Sequence, residues 1–106
     1  MFELYQSESS EFRFRLKAGN GEIIFTGQGY TTKDACQNGI ASVKENAARD
    51  EAFHRKEAQD GRHYFTLVAG NGQVIGQSQM YKSSSGLENG IASVQANAGS
   101  EVRDLT

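Results

Sequence analysis

FRFRLKAGNGEIIFTGQGYTTKDACQNGIASVKENA, residues Phe12 to Ala47, is answered by HYFTLVAGNGQVIGQSQMYKSSSGLENGIASVQANA, residues His63 to Ala98. The offset is a constant 51, no gap is needed, and 17 of the 36 aligned positions are identical. The blocks AGNG and NGIASV recur intact, and the same offset pairs Phe2 with Phe53, where each unit begins. Two copies are too few for an open solenoid, which needs interior repeats covered on both sides. A closed pseudo-twofold arrangement is expected instead, each copy covering the other's apolar face. We therefore expect a single domain over residues 1–106, with repeat 1 at about 1–51 and repeat 2 at about 52–106.

Each unit reads as strands followed by a helix. Phe12, Phe14, Leu16 and Ala18 alternate with Arg13, Arg15 and Lys17, the period of a half-buried strand. In the second copy His63, Phe65, Leu67 and Ala69 face inward, and Tyr64, Thr66 and Val68 outward. Asn20-Gly21 and Asn71-Gly72 follow these strands, and the pair suits a tight hairpin with left-handed backbone at both centres. Residues 22–28 and 73–79 form the return strands, and leading strands are expected near 2–6 and 53–57. The period then lengthens. Cys36, Ile40, Val43 and Ala47 make one apolar helical stripe, and Leu87, Ile91, Val94 and Ala98 repeat it. Thr31 or Thr32 can cap the first helix, and Ser83 or Ser85 the second. Ser85 with Glu88 has the spacing of a capping box, and Gly99 stands where a helix stops.

Composition narrows the function classes. The net charge is −2 and the isoelectric point about 5.6, which argues against a dedicated nucleic-acid binder. The apolar set is 37% of 106 residues, and no apolar run is long enough to cross a bilayer. Cys36 is the only cysteine, so there is no disulfide framework. The start, Met-Phe-Glu-Leu-Tyr-Gln, lacks the basic opening and apolar stretch of a secretory signal. The expectation is a cytoplasmic protein that does not enter membranes.

Candidate chemistry is sparse. The AGNG blocks lack the third glycine of a dinucleotide fingerprint and the Lys-Ser or Lys-Thr of a P-loop, and a strand follows each where a phosphate site needs a helix. They read as turns. Gly39 and Gly90 sit inside helices, at up to ~1 kcal/mol each relative to alanine. Close packing against sheet or helix accounts for them more simply than a ligand does. Asn38, Ser42 and Asn46, like Asn89, Ser93 and Asn97, form a polar stripe that we assign to satisfying loop or strand backbone groups near the helix–sheet seam rather than to recognition. Cys36 aligns with Leu87 and reads as a small core residue, not a nucleophile. His54 and His63 make no metal spacing with it. No catalytic residue, metal or cofactor is expected. Arg13, Arg15 and Lys17 are the best surface candidates, with Tyr64 and Thr66 at matching positions in the second copy. If the pseudo-twofold brings those strands together, a basic, partly aromatic sheet face results, able to contact single-stranded nucleic acid weakly.

Taken together, strand, A-x-NG, strand, Tyr and a helix with NGI-x-SV and a closing Asn-Ala resemble the YegP-like family, small bacterial domains of unknown function. The motif falls at Ala18, Asn20-Gly21, Tyr30, Asn38-Gly39-Ile40, Ser42-Val43 and Asn46-Ala47. It falls again at Ala69, Asn71-Gly72, Tyr81, Asn89-Gly90-Ile91, Ser93-Val94 and Asn97-Ala98. The resemblance implies an α+β fold of two tandem β3-α-β repeats. They form one mostly antiparallel sheet with two helices on one face, and the strand after each helix crosses to the other unit. Residues around Phe53 to Glu57 and Val102 to Leu105 would be those crossing strands. It also implies a monomer that is internally a pseudo-dimer. It supplies no activity, so the expected role is a non-enzymatic binding or interaction module with an unknown protein partner. Single-stranded nucleic acid is the alternative.

Overall fold

The computed structural model describes residues 1–106. Seven strands form one sheet: β1 (Phe2–Gln6), β2 (Phe12–Lys17), β3 (Ile23–Gly27), β4 (Phe53–Glu57), β5 (His63–Val68), β6 (Val74–Gln77) and β7 (Val102–Asp104). The helices are α1 (Lys33–Asn46) and α2 (Ser84–Asn97), and a 3-10 turn, Asp50–Ala52, leads into β4. The order across the sheet is β4-β5-β6-β3-β2-β1-β7, antiparallel except for the β1–β7 pair. This is the α+β architecture the repeat implies. Both apolar stripes and the inward residues of the strands merge into one core of 19 buried residues, drawn from both repeats.

The pseudo-twofold axis can be located from register alone. Thr26 on β3 pairs with Gln77 on β6, its own counterpart at the offset of 51. The axis therefore runs between β3 and β6, and β2 and β5 are flanking strands rather than neighbours. Perfect symmetry is impossible there. Phe25 and Gly76 are counterparts, and a Cβ on Gly76 would stand 2.2 Å from the Thr26 carbonyl oxygen and 2.7 Å from the Phe25 ring. One aromatic ring fills the axis, stacked on Phe65 at 6.5 Å, and glycine makes room for it. Each return strand also carries a bulge, with register shifts at Leu16/Lys17 and Leu67/Val68. The extra residues are Ile24 and Ile75, both buried in the core.

The hairpins differ from expectation. Only Gly21 and Gly72 take left-handed backbone, at φ 84° and 87°; Asn20 and Asn71 do not. The loops are three residues long, closed by Gly21 N–H to Ala18 O and Ala18 N–H to Glu22 O, both at 2.9 Å. Each Asn side chain instead accepts the amide two residues on, Glu22 or Gln73, at 3.0 Å. The same turn recurs at Asp60-Gly61 and at Ser9-Ser10, where Ser10 takes φ 67° without being glycine.

The helix caps are Thr32, accepting from Ala35 N–H at 3.1 Å, and Ser83, accepting from Gly86 N–H at 3.0 Å. The Ser85–Glu88 capping box does not form, because the cap at Ser83 places Ser85 inside the helix, and Glu88 turns to Arg55 on β4 with contacts of 2.6 and 2.9 Å. Gly99 follows an α-helical Ala98 cap and is not left-handed. Of the two strands expected to cross after a helix, only the second does so as a separate strand. β7 crosses to lie parallel to β1, while β4 pairs antiparallel with β5 and doubles as the leading strand of its own repeat.

Candidate functional site

The helices cover one face of the sheet and leave the other open. Because Phe14, Leu16, Phe65 and Leu67 point into the core, alternation turns Arg13, Arg15, Lys17, Tyr64 and Thr66 to the open side. Cross-strand register then writes one row across it: His54, Thr66, Gln77, Thr26, Arg15, Glu3 and Arg103. A second row puts Lys56 opposite Tyr64 and Arg13 opposite Tyr5. The expected basic residues and Tyr64 thus share a face but are not brought together. Three strand spacings separate β2 from β5, roughly 14 Å.

Internal pairing consumes part of that basicity. Arg15 Nε donates to Glu3 Oε1 at 2.7 Å, and Lys17 Nζ lies 3.3 Å from the same oxygen. The Arg15 hydrogen bond holds the Glu3 carboxyl below its ordinary range, against the opposing effect of burial. Arg15 also lies 4.5 Å over the Tyr5 ring, and Arg13 is 3.7 Å from Glu11 at the rim. Lys56 and Arg103, which periodicity alone did not single out, have no ion-pair partner. The signal for them was the strand register of β4 and β7, invisible until those strands are placed. The face carries five cations against Glu3, with Glu11 at its rim, in a chain whose net charge is −2. Near its centre is a hollow of about 130 Å³ lined by Arg13, Thr26, Gly27, Gln28, Gly76 and Gln77. Thr66 beside it is buried, with a hydroxyl that has no hydrogen-bond partner.

Of the repeated Asn and Gly positions, Gly39 and Gly90 serve assembly on the covered face. Tyr30 and Tyr81 follow the return strands, and their rings stack on Phe14 and Phe65 at 6.4 Å. The phenol tips lie against the helices at Gly39 and Gly90, where an added Cβ would fall 2.4 and 2.2 Å from the hydroxyl oxygens. Close packing is therefore the reason for both glycines, and its partner is a tyrosine, not the sheet backbone or the second helix. Asn46 and Asn97 donate to Ser42 O and Ser93 O at 2.8 Å, carbonyls of their own helices rather than the loop or strand groups expected of the polar stripe. Asn38 and Asn89 are exposed instead. Cys36 is wholly buried, and burial pushes its thiol up to about 11, the opposite of an activated nucleophile. No three His, Cys, Asp or Glu side chains converge to hold a metal. No helix is long and apolar enough to cross a membrane.

Comparison with known proteins matches this architecture. A domain of unknown function, DUF1508, matches twice, over residues 3–53 and 58–104. The UPF0339 protein YegP of Escherichia coli O157:H7 is 51% identical, across 99% of this chain and 96% of that protein. A UPF0339 protein of Bordetella pertussis is 48% identical, across 95% of this chain and 92% of its own length. The solution structure of YegP from E. coli, described as a protein of unknown function, superposes with a TM-score of 0.94 at 50% identity, covering 99% of this chain and 91% of that one. A UPF0339 protein of Shewanella oneidensis gives 0.94 at 43% identity, covering 99% and 90%. A double match to one domain, set on a sheet whose axis falls between counterpart residues, makes this chain a member of the YegP-like DUF1508 family in its tandem form.

Proposed function

We propose that this protein is a non-enzymatic binding module, monomeric and cytoplasmic, whose open sheet face receives an anionic partner. The observation that carries the reading is the placement of Arg13, Arg15, Lys17, Lys56 and Arg103 on the one sheet face that no helix covers. In a chain of net charge −2 these cations leave the remaining surface acidic, so the molecule is electrostatically two-sided. The covered face holds the core shared by the two repeats, and its thiol is buried.

Single-stranded nucleic acid is the narrower form of this reading. Tyr64 supplies one stacking surface on the face, while Tyr5 is already covered by Arg15. Contact of this kind is chiefly electrostatic and weak. Fluorescence anisotropy with a labelled oligothymidylate at 20 and 200 mM salt tests it. The expected result is binding at low salt, lost at high salt, and abolished by Lys56→Glu with Arg103→Glu. Absence of binding at low salt removes the nucleic-acid form. Polyphosphate and a polyglutamate peptide extend the test to anionic partners generally, and failure of all three overturns the proposal.

A further inference from the structure

The outward sides of β1 and β4 are counterparts, yet only that of β1 is covered by a further strand. On the first edge, β7 lies parallel to β1: Phe2 N–H donates to Glu101 O at 2.9 Å, and Leu105 N–H donates to Leu4 O at 2.8 Å. Asp104 pairs there with Lys33 at the start of α1. At the offset of 51 the equivalent edge is β4, with Phe53 for Phe2, Arg55 for Leu4 and Ser84 for Lys33. The first contact is reproduced covalently in series, since Phe53 N–H donates to Asp50 O and Asp50 is the counterpart of Glu101. There the likeness stops. The chain after Asp50 turns through its 3-10 segment into β4 itself, so no strand occupies the position that β7 holds.

That seat is open at Arg55, while the Phe53 carbonyl before it takes the Arg55 guanidinium at 3.2 Å, a contact an added strand would replace. Ala58 N–H reaches inward to Arg62 O, so alternation along β4 turns the backbone groups of Arg55 outward, where no strand pairs them. Beside them is a cleft of about 250 Å³ lined by Arg55, His63, Ser84, Leu87 and Glu88, among others. It occupies the place corresponding to Asp104 and its Lys33 partner in the first repeat. The edge is also long enough to matter: β4 has five residues, whereas β7 has three. An unpaired edge with an adjoining cleft is the arrangement used when a peptide adds a strand to a sheet.

We propose that the β4 edge and this cleft accept an extended segment of a partner protein as a parallel eighth strand. The chain's own tail defines the chemistry: apolar, any, acidic, apolar, as in Val102-Arg103-Asp104-Leu105. The acidic side chain faces Ser84 at the positive end of α2, and the apolar residue two before it shares that side of the strand, while the residue after it turns to the open face. This surface is separate from the open sheet face and stands independently of what that face binds.

The test is an NMR titration of the full-length protein with a peptide copy of residues 101–106, Glu-Val-Arg-Asp-Leu-Thr. The expected result is amide shifts confined to β4 and the first turn of α2. Ser84→Lys, which installs the counterpart of Lys33, tightens binding about two- to fivefold. Replacing the peptide's Asp with Asn weakens it. Arg55→Pro removes the outward amide and abolishes binding. Should that variant fail to fold, N-methylation of the peptide's Leu removes the donor that meets Arg55 O and has the same effect. Shifts at β1 and β7 alone, from displacement of the native tail, overturn the proposal, as does the absence of shifts at millimolar peptide. Concentration-dependent shifts of the same β4 residues without peptide assign the seat to a second copy and overturn the partner-protein reading.

Discussion

Gly39 and Gly90 show how one missing methyl group joins a helix to a sheet. Alanine is the better helix former by about 1 kcal/mol, yet here its Cβ would press on a tyrosine hydroxyl. Gly39→Ala and Gly90→Ala should each lower stability by about 1–3 kcal/mol, read from denaturant midpoints. Because the Tyr81 hydroxyl is buried without a partner, Tyr81→Phe should be close to neutral alone and recover part of the Gly90→Ala loss. Additive effects in that pair would contradict the contact. Ser10 makes the opposite case, since it holds a left-handed backbone where its counterpart is Gly61. Ser10→Gly should raise stability by about 0.5–1 kcal/mol, seen as a higher melting temperature. The glycines were legible in the sequence as repeated costs needing a reason. Their partner was not, because Tyr30 and Tyr81 lie nine residues upstream, beyond the reach of helical spacing. The left-handed serine was not legible either, since nothing in Ser-Glu-Ser-Ser marks the turn that Asp-Gly announces in repeat 2.

Among elements, the β3–β6 seam and the β1–β2 ion pair carry the arrangement of the sheet. Gly76→Ala should destabilise by about 1–3 kcal/mol or more, because its Cβ meets a backbone carbonyl that cannot rotate away. Gly70, with open space around its Cα, is the control, and equal effects of Gly70→Ala and Gly76→Ala on the denaturant midpoint would refute the crowded seam. Glu3 ties β1 to β2, and its folded pKa is held below the unfolded one, chiefly by Arg15. That stabilisation is present above the ordinary carboxylate range and is lost as pH falls through the folded value. Glu3→Gln should therefore cost about 1–2 kcal/mol near pH 7, and the gap to wild type should shrink toward pH 3 in urea titrations. A gap independent of pH would contradict the ion pair. Strands 1 to 6 were legible from alternation and turn chemistry, and leading strands at 2–6 and 53–57 stand where the repeat offset puts them. The seam was not, because β3 and β6 pair across 51 residues with little side-chain pattern of their own. β7 is three residues long and has no readable period, so its place came from the family likeness.

For the whole molecule, duplication explains both the closed core and the two-sided charge. Each helix reaches strands of the other repeat, α1 lying against β5 and β6 and α2 against β2 and β3, so neither half buries its apolar face alone. The sequence made the halves and their mutual cover legible. It hid the open face, because Lys56 and Arg103 come from opposite edges of the sheet and share it only once the strand order is known. The most direct measurement is to produce residues 1–51 and 52–106 separately and follow thermal unfolding and mass in solution. Mutual shelter predicts that each half alone is either unfolded or paired with a copy of itself, and that mixing the two restores one cooperative transition. Cooperative unfolding of either half as a single, unpaired chain would contradict it.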